Sequence, residues 1–188
     1  MRVLGITGSL RRGSHNHALL RAAAERLPAG AELVEFDRLA EIPPYDADVE
    51  AEGTPEPVEA LRRAMREADA VLVATPEYNH SIPGVLKNAL DWASRPAGQS
   101  ALTGKPAAVV GASTGMFGAV WAQAETRKVL GALGGRVIER ELPVAGAAEL
   151  YRDGRLELSP EQSEDLEGIL AELTVAVEQL REPVAVAA

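Results

Sequence analysis

Hydrophobic positions along this chain fall into two alternating kinds of block. Short continuous apolar runs read as strands buried on both faces, and longer stretches with apolar residues three and four apart read as helices. Arg2 to Thr7 is the first run. A helix is predicted from Ser14 to Leu27, with Leu19, Leu20, Ala23 and Leu27 on one face and a stop at Pro28-Ala29-Gly30. Glu32 to Phe36 is a second strand, polar enough for a sheet edge. Asp37 to Pro57 reads as a long connection holding Pro43, Pro44, Pro55 and Pro57. A loop of that length in a compact domain is functional or lies at an interface. Val58, Leu61, Met65 and Ala68 mark the next helix, followed by the strand Ala70 to Ala74. Ser81 and Pro83 then open a helix in which Ile82, Leu86, Ala89 and Ala93 recur at helical spacing.

Arg95 to Gly104 is a loop, and Ala107 to Gly111 a fourth strand. The helix from Phe117 to Leu133 is apolar on more than one side, which predicts that it is well covered. Arg136 to Leu142 is the fifth strand, and Asp153-Gly154 a tight turn. The last helix opens with Ser159-Pro160-Glu161-Gln162, an N-cap serine, an N1 proline and a capping-box glutamine. Leu166, Ile169, Leu170, Leu173, Val177 and Leu180 keep its period, Pro183 ends it, and Val184 to Ala188 are expected to fray. Strand and helix thus alternate five times, which predicts a doubly wound α/β fold with right-handed crossovers, as one domain over residues 1–188.

Composition narrows what such a fold can do. The chain is 46% apolar and 25% charged, as in an ordinary globular enzyme, and its net charge of −9 argues against nucleic acid or an anionic membrane as partner. No apolar stretch approaches the ~20 residues that span a bilayer. The first residues, Met1 to Gly8, do not read as a signal peptide, so a cytoplasmic setting is expected. With no cysteine, redox chemistry here has to run through a cofactor rather than a thiol.

Three loops carry candidate chemistry. The first strand runs into Gly8-Ser9-Leu10-Arg11-Arg12-Gly13-Ser14-His15-Asn16 and then directly into a helix. Glycines permit a sharp turn, the helix N-terminus adds positive potential, and Ser9, Arg11, Ser14 and Asn16 add donors, so the loop suits a phosphate. It is neither G-x-G-x-x-G nor a P-loop, which favours a terminal phosphomonoester over a dinucleotide pyrophosphate. The third strand runs into Pro76-Glu77-Tyr78-Asn79. The fourth runs into Gly111-Ala112-Ser113-Thr114-Gly115, which matches G-x-S-x-G. A serine hydrolase would need a histidine after Ser113 in that chain order, yet His15, His17 and His80 all precede it. In a sheet ordered 2-1-3-4-5 the three loops share one crevice, with a phosphate site in one and polar groups for a flat ring in the others. A mononucleotide with a planar head fits.

These residues resemble the NAD(P)H-dependent FMN reductase family of flavodoxin-like proteins, the group with quinone, chromate and azo-dye reductases. The resemblance spans about Val3 to Leu180. It rests on Gly8-Ser9-Leu10-Arg11 with Ser14 and Asn16, and on Pro76-Glu77-Tyr78-Asn79 with Ser81, Pro83-Gly84, Leu86-Lys87-Asn88 and Asp91-Trp92. Ile42 to Asp46 and Leu102 to Pro106 add to it. It implies a five-stranded parallel sheet in the order 2-1-3-4-5 with helices on both faces. It also implies that Ser9, Arg11, Ser14 and Asn16 hold the FMN phosphate, that Pro76, Glu77, Tyr78 and Asn79 border the isoalloxazine, and that Ser113, Thr114 and Gly115 lie along its pyrimidine side. His15, within the first loop, joins the cofactor-binding set. NADPH or NADH is the implied electron donor, a small molecule such as a quinone the acceptor, and a homodimer or homotetramer the assembly. The Ile42 to Asp46 loop and the helix from Pro83 to Ser94 are placed at its interface. Where many members of the quinone and chromate branch carry an arginine, this chain has Trp121.

Single residues can be weighed further. Flavin chemistry asks for no protein acid or base, so Glu77 is read as structural or ligand-positioning and no catalytic side chain is assigned. His15 and His17 are two apart on a helix and diverge, which suits surface histidines better than metal ligands. Trp92 and Trp121 read as core or interface anchors. The alternative function is a flavodoxin-type electron carrier without direct NAD(P)H oxidation.

Overall fold

A computed structural model describes residues 1–181. In it β1 (Arg2–Thr7), β2 (Glu32–Phe36), β3 (Ala70–Thr75), β4 (Pro106–Ala112) and β5 (Arg136–Val137) form a parallel sheet in the order 2-1-3-4-5. The apolar runs behave as two-sided strands. Val71 and Val73 join Leu4, Ile6, Ala107 and Val109 on one face, against α3 (Glu56–Glu67), α4 (Gly84–Ala93) and α5 (Val120–Ala132). Ala70, Leu72 and Ala74 join Val3, Ala108 and Val110 on the other, against α1 (His15–Ala24) and α7 (Pro160–Arg181). Every residue of β3 is buried, and each of its Val and Leu side chains contributes on the order of 2 kcal/mol by leaving water. Gly5 lets α1 close onto the sheet: a Cβ there would stand 2.7 Å from Leu33 Cδ2 and 3.3 Å from Leu20 Cδ1. The capping box of α7 forms as expected, Ser159 N–H donating to Gln162 Oε1 at 3.0 Å and Gln162 N–H to Ser159 Oγ at 3.1 Å. Pro183 and the residues 184–188 lie outside the described residues.

Four expectations change. The Asp37 to Pro57 connection holds a 3-10 turn, Leu39–Glu41, and a six-residue helix, α2 (Ala47–Glu52). That helix starts from the Asp46 side chain, which accepts from Asp48 N–H, and buries nothing, so no apolar period announces it. The segment docks on α4: Pro43 O accepts from Asn88 Nδ2 at 2.9 Å and from Trp92 Nε1 at 2.8 Å. The first helix ends at Ala24 rather than Leu27. The fourth major helix starts at Val120 and buries a single stripe, Ala122, Gln123, Thr126, Arg127 and Leu130, in place of the broad apolar cover expected.

The fifth strand is the largest correction. Instead of Arg136 to Leu142, two short pieces pair β4: β5 at its start and β6 (Pro143–Val144) at its end. From Ala107 to Gly111 is four residues on β4, and from Val137 to Pro143 is six on the partner, so two extra residues loop out of the ladder. Gln123 sits beside this break. Its Oε1 accepts from Leu142 N–H at 3.3 Å and its Nε2 donates to Gly118 O at 3.0 Å, over Gly111, where a Cβ would meet Nε2 at 2.8 Å. Beyond β6 come α6 (Ala147–Leu150) and the hairpin β7 (Tyr151–Arg152) and β8 (Arg155–Leu156), turning at Asp153-Gly154 as expected. Among the described residues no helix is long and apolar enough to cross a membrane.

Candidate functional site

At the carboxyl edge of the sheet the loops after β1, β3 and β4 meet in one crevice of about 460 Å³, its open mouth included. It is lined from the first loop by Ser9, Arg11, Ser14, His15 and Asn16, from the second by Pro76, Glu77 and Tyr78, and from the third by Ala112, Ser113 and Thr114. Asn79 and Gly115, both expected there, lie outside the lining. Asn79 and His80 take left-handed backbone, φ 52° and 61°, at the tip of a tight turn closed by paired Tyr78 and Ser81 main-chain bonds of 3.1 Å. Gly115 O accepts from Gly146 N–H at 3.1 Å.

The first loop gathers hydrogen-bond donors. Ser14 caps α1, its Oγ accepting from Asn16 N–H at 3.2 Å, and Ser9 Oγ accepts from Arg11 N–H at 3.3 Å. Both hydroxyls are held by acceptor contacts, so each keeps its own hydrogen to donate. Gly13 and His15 N–H groups have no partner among the described residues, and the helix N-terminus faces the same space. The His15 imidazole lies below its ordinary pKa because burial disfavours its charge and Arg11 stands nearby. This donor set, all neutral or cationic, fits a phosphate.

Asn16 does something else. Its amide is buried and closed on one residue, Nδ2 donating to Ala112 O at 2.9 Å and Oδ1 accepting from Ala112 N–H at 3.0 Å. One Nδ2 hydrogen and Oδ1 thereby tie the start of α1 to the end of β4, while the second Nδ2 hydrogen belongs to a side chain that lines the crevice. Both histidines are partly exposed: His15 lines the crevice, and His17 Nδ1 pairs with Glu35 Oε1 on β2.

Glu77 proves structural in a specific way. Its Oε2 accepts from Trp121 and Ala122 N–H groups, both at 3.0 Å, and so caps α5 from another loop. That helix needs the cap, because its own N-cap residue, Ala119, lacks one and has φ 63°. A second carboxylate returns the contact. Glu125 Oε2, from α5, accepts from Ser81 Oγ at 2.6 Å and Ile82 N–H at 3.1 Å. These two donors hold the Glu125 carboxyl below its ordinary pKa. Two reciprocal latches thus join the Pro76 to Pro83 loop to α5. Sequence reasoning missed Glu125, since its partners lie more than forty positions away and no local spacing marks them.

Trp92 is buried as expected, whereas Trp121 is 42% exposed, which leaves only the interface half of its expected role. Its ring meets those of His80 and Phe117 edge-on, each at 4.8 Å. Ser113 Oγ contacts Gly115 O at 3.5 Å and no histidine among the described residues, which leaves no hydrolase nucleophile. A larger groove between α1 and the β7–β8 hairpin is lined by arginines. Their partners are close at hand, Arg155 on Glu25 and Arg21 on Gly154 O, and we read it as a solvated surface.

A parallel 2-1-3-4-5 sheet with an anion loop after β1 and a crevice at the carboxyl edge defines a flavodoxin-like nucleotide-binding protein. Comparison with known proteins narrows the class. Residues 1–149 match the family model described as NADPH-dependent FMN reductase, and the chain belongs to that family. It is 52% identical over 130 residues to an NAD(P)H-dependent FMN reductase of Pseudomonas aeruginosa, covering 69% of each chain. It is 43% identical over 149 residues to a quinone reductase of Pseudomonas putida, covering 79% of this chain and 80% of that one. The structure of FerB, a flavoenzyme NAD(P)H:(acceptor) oxidoreductase from Paracoccus denitrificans, superposes with a TM-score of 0.82 at 36% identity, covering 95% of this chain and 97% of that one.

Proposed function

We propose that this protein is an FMN-dependent NAD(P)H oxidoreductase that passes two electrons to a quinone-type acceptor. The observation that carries the reading is the crevice itself, which joins a phosphate-type donor loop to the Pro76 to Tyr78 wall at the carboxyl edge of the sheet. Bound FMN supplies the two-electron chemistry. The chain's own residues supply position. Ser9, Arg11, Ser14, Asn16 and the first N–H groups of α1 hold the phosphate. Pro76, Glu77 and Tyr78 border the ring side, and Ser113 and Thr114 close the opposite wall, with Asn79 and Gly115 next to these walls in the chain. Glu77 and Glu125 keep the ring-side loop fixed against α5, so the mouth stays open to one planar molecule at a time. Hydride transfer through a flavin asks for no acid, base or nucleophile from the protein.

The same reading takes residues 1–188 as one FMN-binding domain in the cytoplasm, assembled as a homodimer or homotetramer with NADPH or NADH as donor. Exposed Tyr78, Phe117 and Trp121 support an assembly that covers them. The experiment is steady-state oxidation of NADPH with benzoquinone, with and without added FMN. Turnover that requires both FMN and quinone supports the proposal, and NADPH oxidation unaffected by FMN contradicts it.

A further inference from the structure

We propose that Gln123 is a positioning residue for the flavin: its buried amide sets where the loop after β4 stands, and with it the Ser113 and Thr114 wall of the crevice. This rests on the flavin reading above. Gln123 lies in the first turn of α5, is fully buried and does not itself line the crevice. It meets the loop at both of its roots. At the near root its side chain lies against Gly111, the residue before Ala112, where a Cβ would stand 2.8 Å from Nε2 and 3.0 Å from Cγ. At the far root Nε2 donates to Gly118 O at 3.0 Å. Oε1 accepts from Leu142 N–H at 3.3 Å, and Leu142 O accepts in turn from Gly111 N–H at 3.2 Å. One amide thus closes Gly111, Gly118 and Leu142 into a ring of contacts. Its orientation is forced, because a main-chain N–H only donates and a carbonyl only accepts.

The local backbone makes this amide necessary. Gly118 and Ala119 are both left-handed, φ 56° and 63°, which takes Gly118 O out of the helical ladder. The N–H that would have met it, on Ala122, goes to Glu77 instead. Without Gln123, Gly118 O and Leu142 N–H have no other partner among the described residues. A non-glycine residue in left-handed backbone, as Ala119 is, persists where its surroundings over-determine it. The loop has no slack towards β6, since Gly118 already backs onto the main chain of Pro143 and Val144. Ser113 hangs on the same segment, its N–H donating to Val144 O at 3.0 Å and its O accepting from Ala147 N–H at 2.9 Å. A shift at Leu142 or Gly118 is therefore passed to the Ser113 and Thr114 wall, while the Pro76 to Tyr78 wall stays on its own latches.

Gln123→Met keeps the length of the side chain and removes both hydrogen bonds. FMN affinity and the visible band of the bound flavin are measured where circular dichroism shows the variant folded. Affinity is expected to fall roughly three- to tenfold, as for one hydrogen bond lost from the site, and the band to be displaced. Ile169→Val, at a buried position of α7 away from the crevice, is the control that weakens the fold without touching the loop. A weaker affinity with a displaced band in Gln123→Met, and wild-type values in Ile169→Val, support the proposal. Either quantity left at its wild-type value in Gln123→Met overturns it, and so does an equal change in Ile169→Val. Should Gln123→Met not fold, amide exchange of wild type decides: FMN slows exchange of Leu142 N–H more than that of the β2 amides if the proposal holds, and equal slowing overturns it. Wild type that binds no FMN overturns the flavin reading and this inference together, whereas FMN binding indifferent to Gln123→Met overturns the inference alone.

Discussion

Asn16, in the first turn of α1, ties that helix to the end of β4, and Asn16→Ala measures the tie. The Asn16 amide makes two buried hydrogen bonds, 2.9 Å and 3.0 Å long, to the main chain of Ala112. Truncation leaves the Ala112 N–H and C=O without their partner in the interior, at about 1–3 kcal/mol for each stranded group, or roughly 2–5 kcal/mol together. For a domain of this size that corresponds to a fall in Tm of roughly 5–15 °C. Differential scanning calorimetry of the apoprotein reads it directly, with urea unfolding as an independent measure of the same loss. The apoprotein is the right sample, since bound flavin would add its own stabilisation and mask the change. A Tm within about 2 °C of wild type would refute the structural tie.

Arg11→Ala is expected to leave the apoprotein Tm unchanged and to weaken FMN binding roughly ten- to hundredfold, read by quenching of flavin fluorescence. Glu125→Gln removes a carboxylate that Ser81 and Ile82 hold ionised. Its folded pKa is depressed, so its contribution is present above the unfolded carboxylate pKa and is lost as pH falls through the folded value. Wild type should therefore lose stability more steeply on acidification than Glu125→Gln, and parallel Tm curves below about pH 5 would contradict this. Gly118→Ala places a Cβ 2.4 Å from Pro143 C at φ 56°, against backbone that cannot step aside. The loop after β4 has to move, and FMN affinity is expected to fall by about tenfold or more in a protein that still folds.

The strands were legible because burial on both faces leaves continuous apolar runs: Ala70 to Ala74 stands in the structure within one residue of its expected end. The phosphate loop and the Pro-Glu-Tyr-Asn loop were legible because short-range chemistry marks them, donors beside a helix start and a proline before a turn. What escaped was non-local. The amide of Asn16 looks like a free donor until Ala112, ninety-six residues on, is brought to it. Glu125 looks like one exposed helical acid among many until Ser81 folds beneath it. The fifth strand looked continuous because Ile138 and Leu142 are apolar, whereas Pro143 and the Gln123 amide break its ladder. Trp121 reads as an anchor by size, and the bond from its main-chain N–H to Glu77, forty-four residues away, is non-local too.

The central claim, that this crevice holds an FMN reducible by a nicotinamide, is tested most directly by anaerobic titration of the FMN-loaded protein with NADPH, following the visible flavin band. The account predicts bleaching complete at one equivalent of NADPH per flavin, and recovery of the band on adding benzoquinone. A bound flavin that neither NADPH nor NADH bleaches would contradict it and identify the protein as an electron carrier.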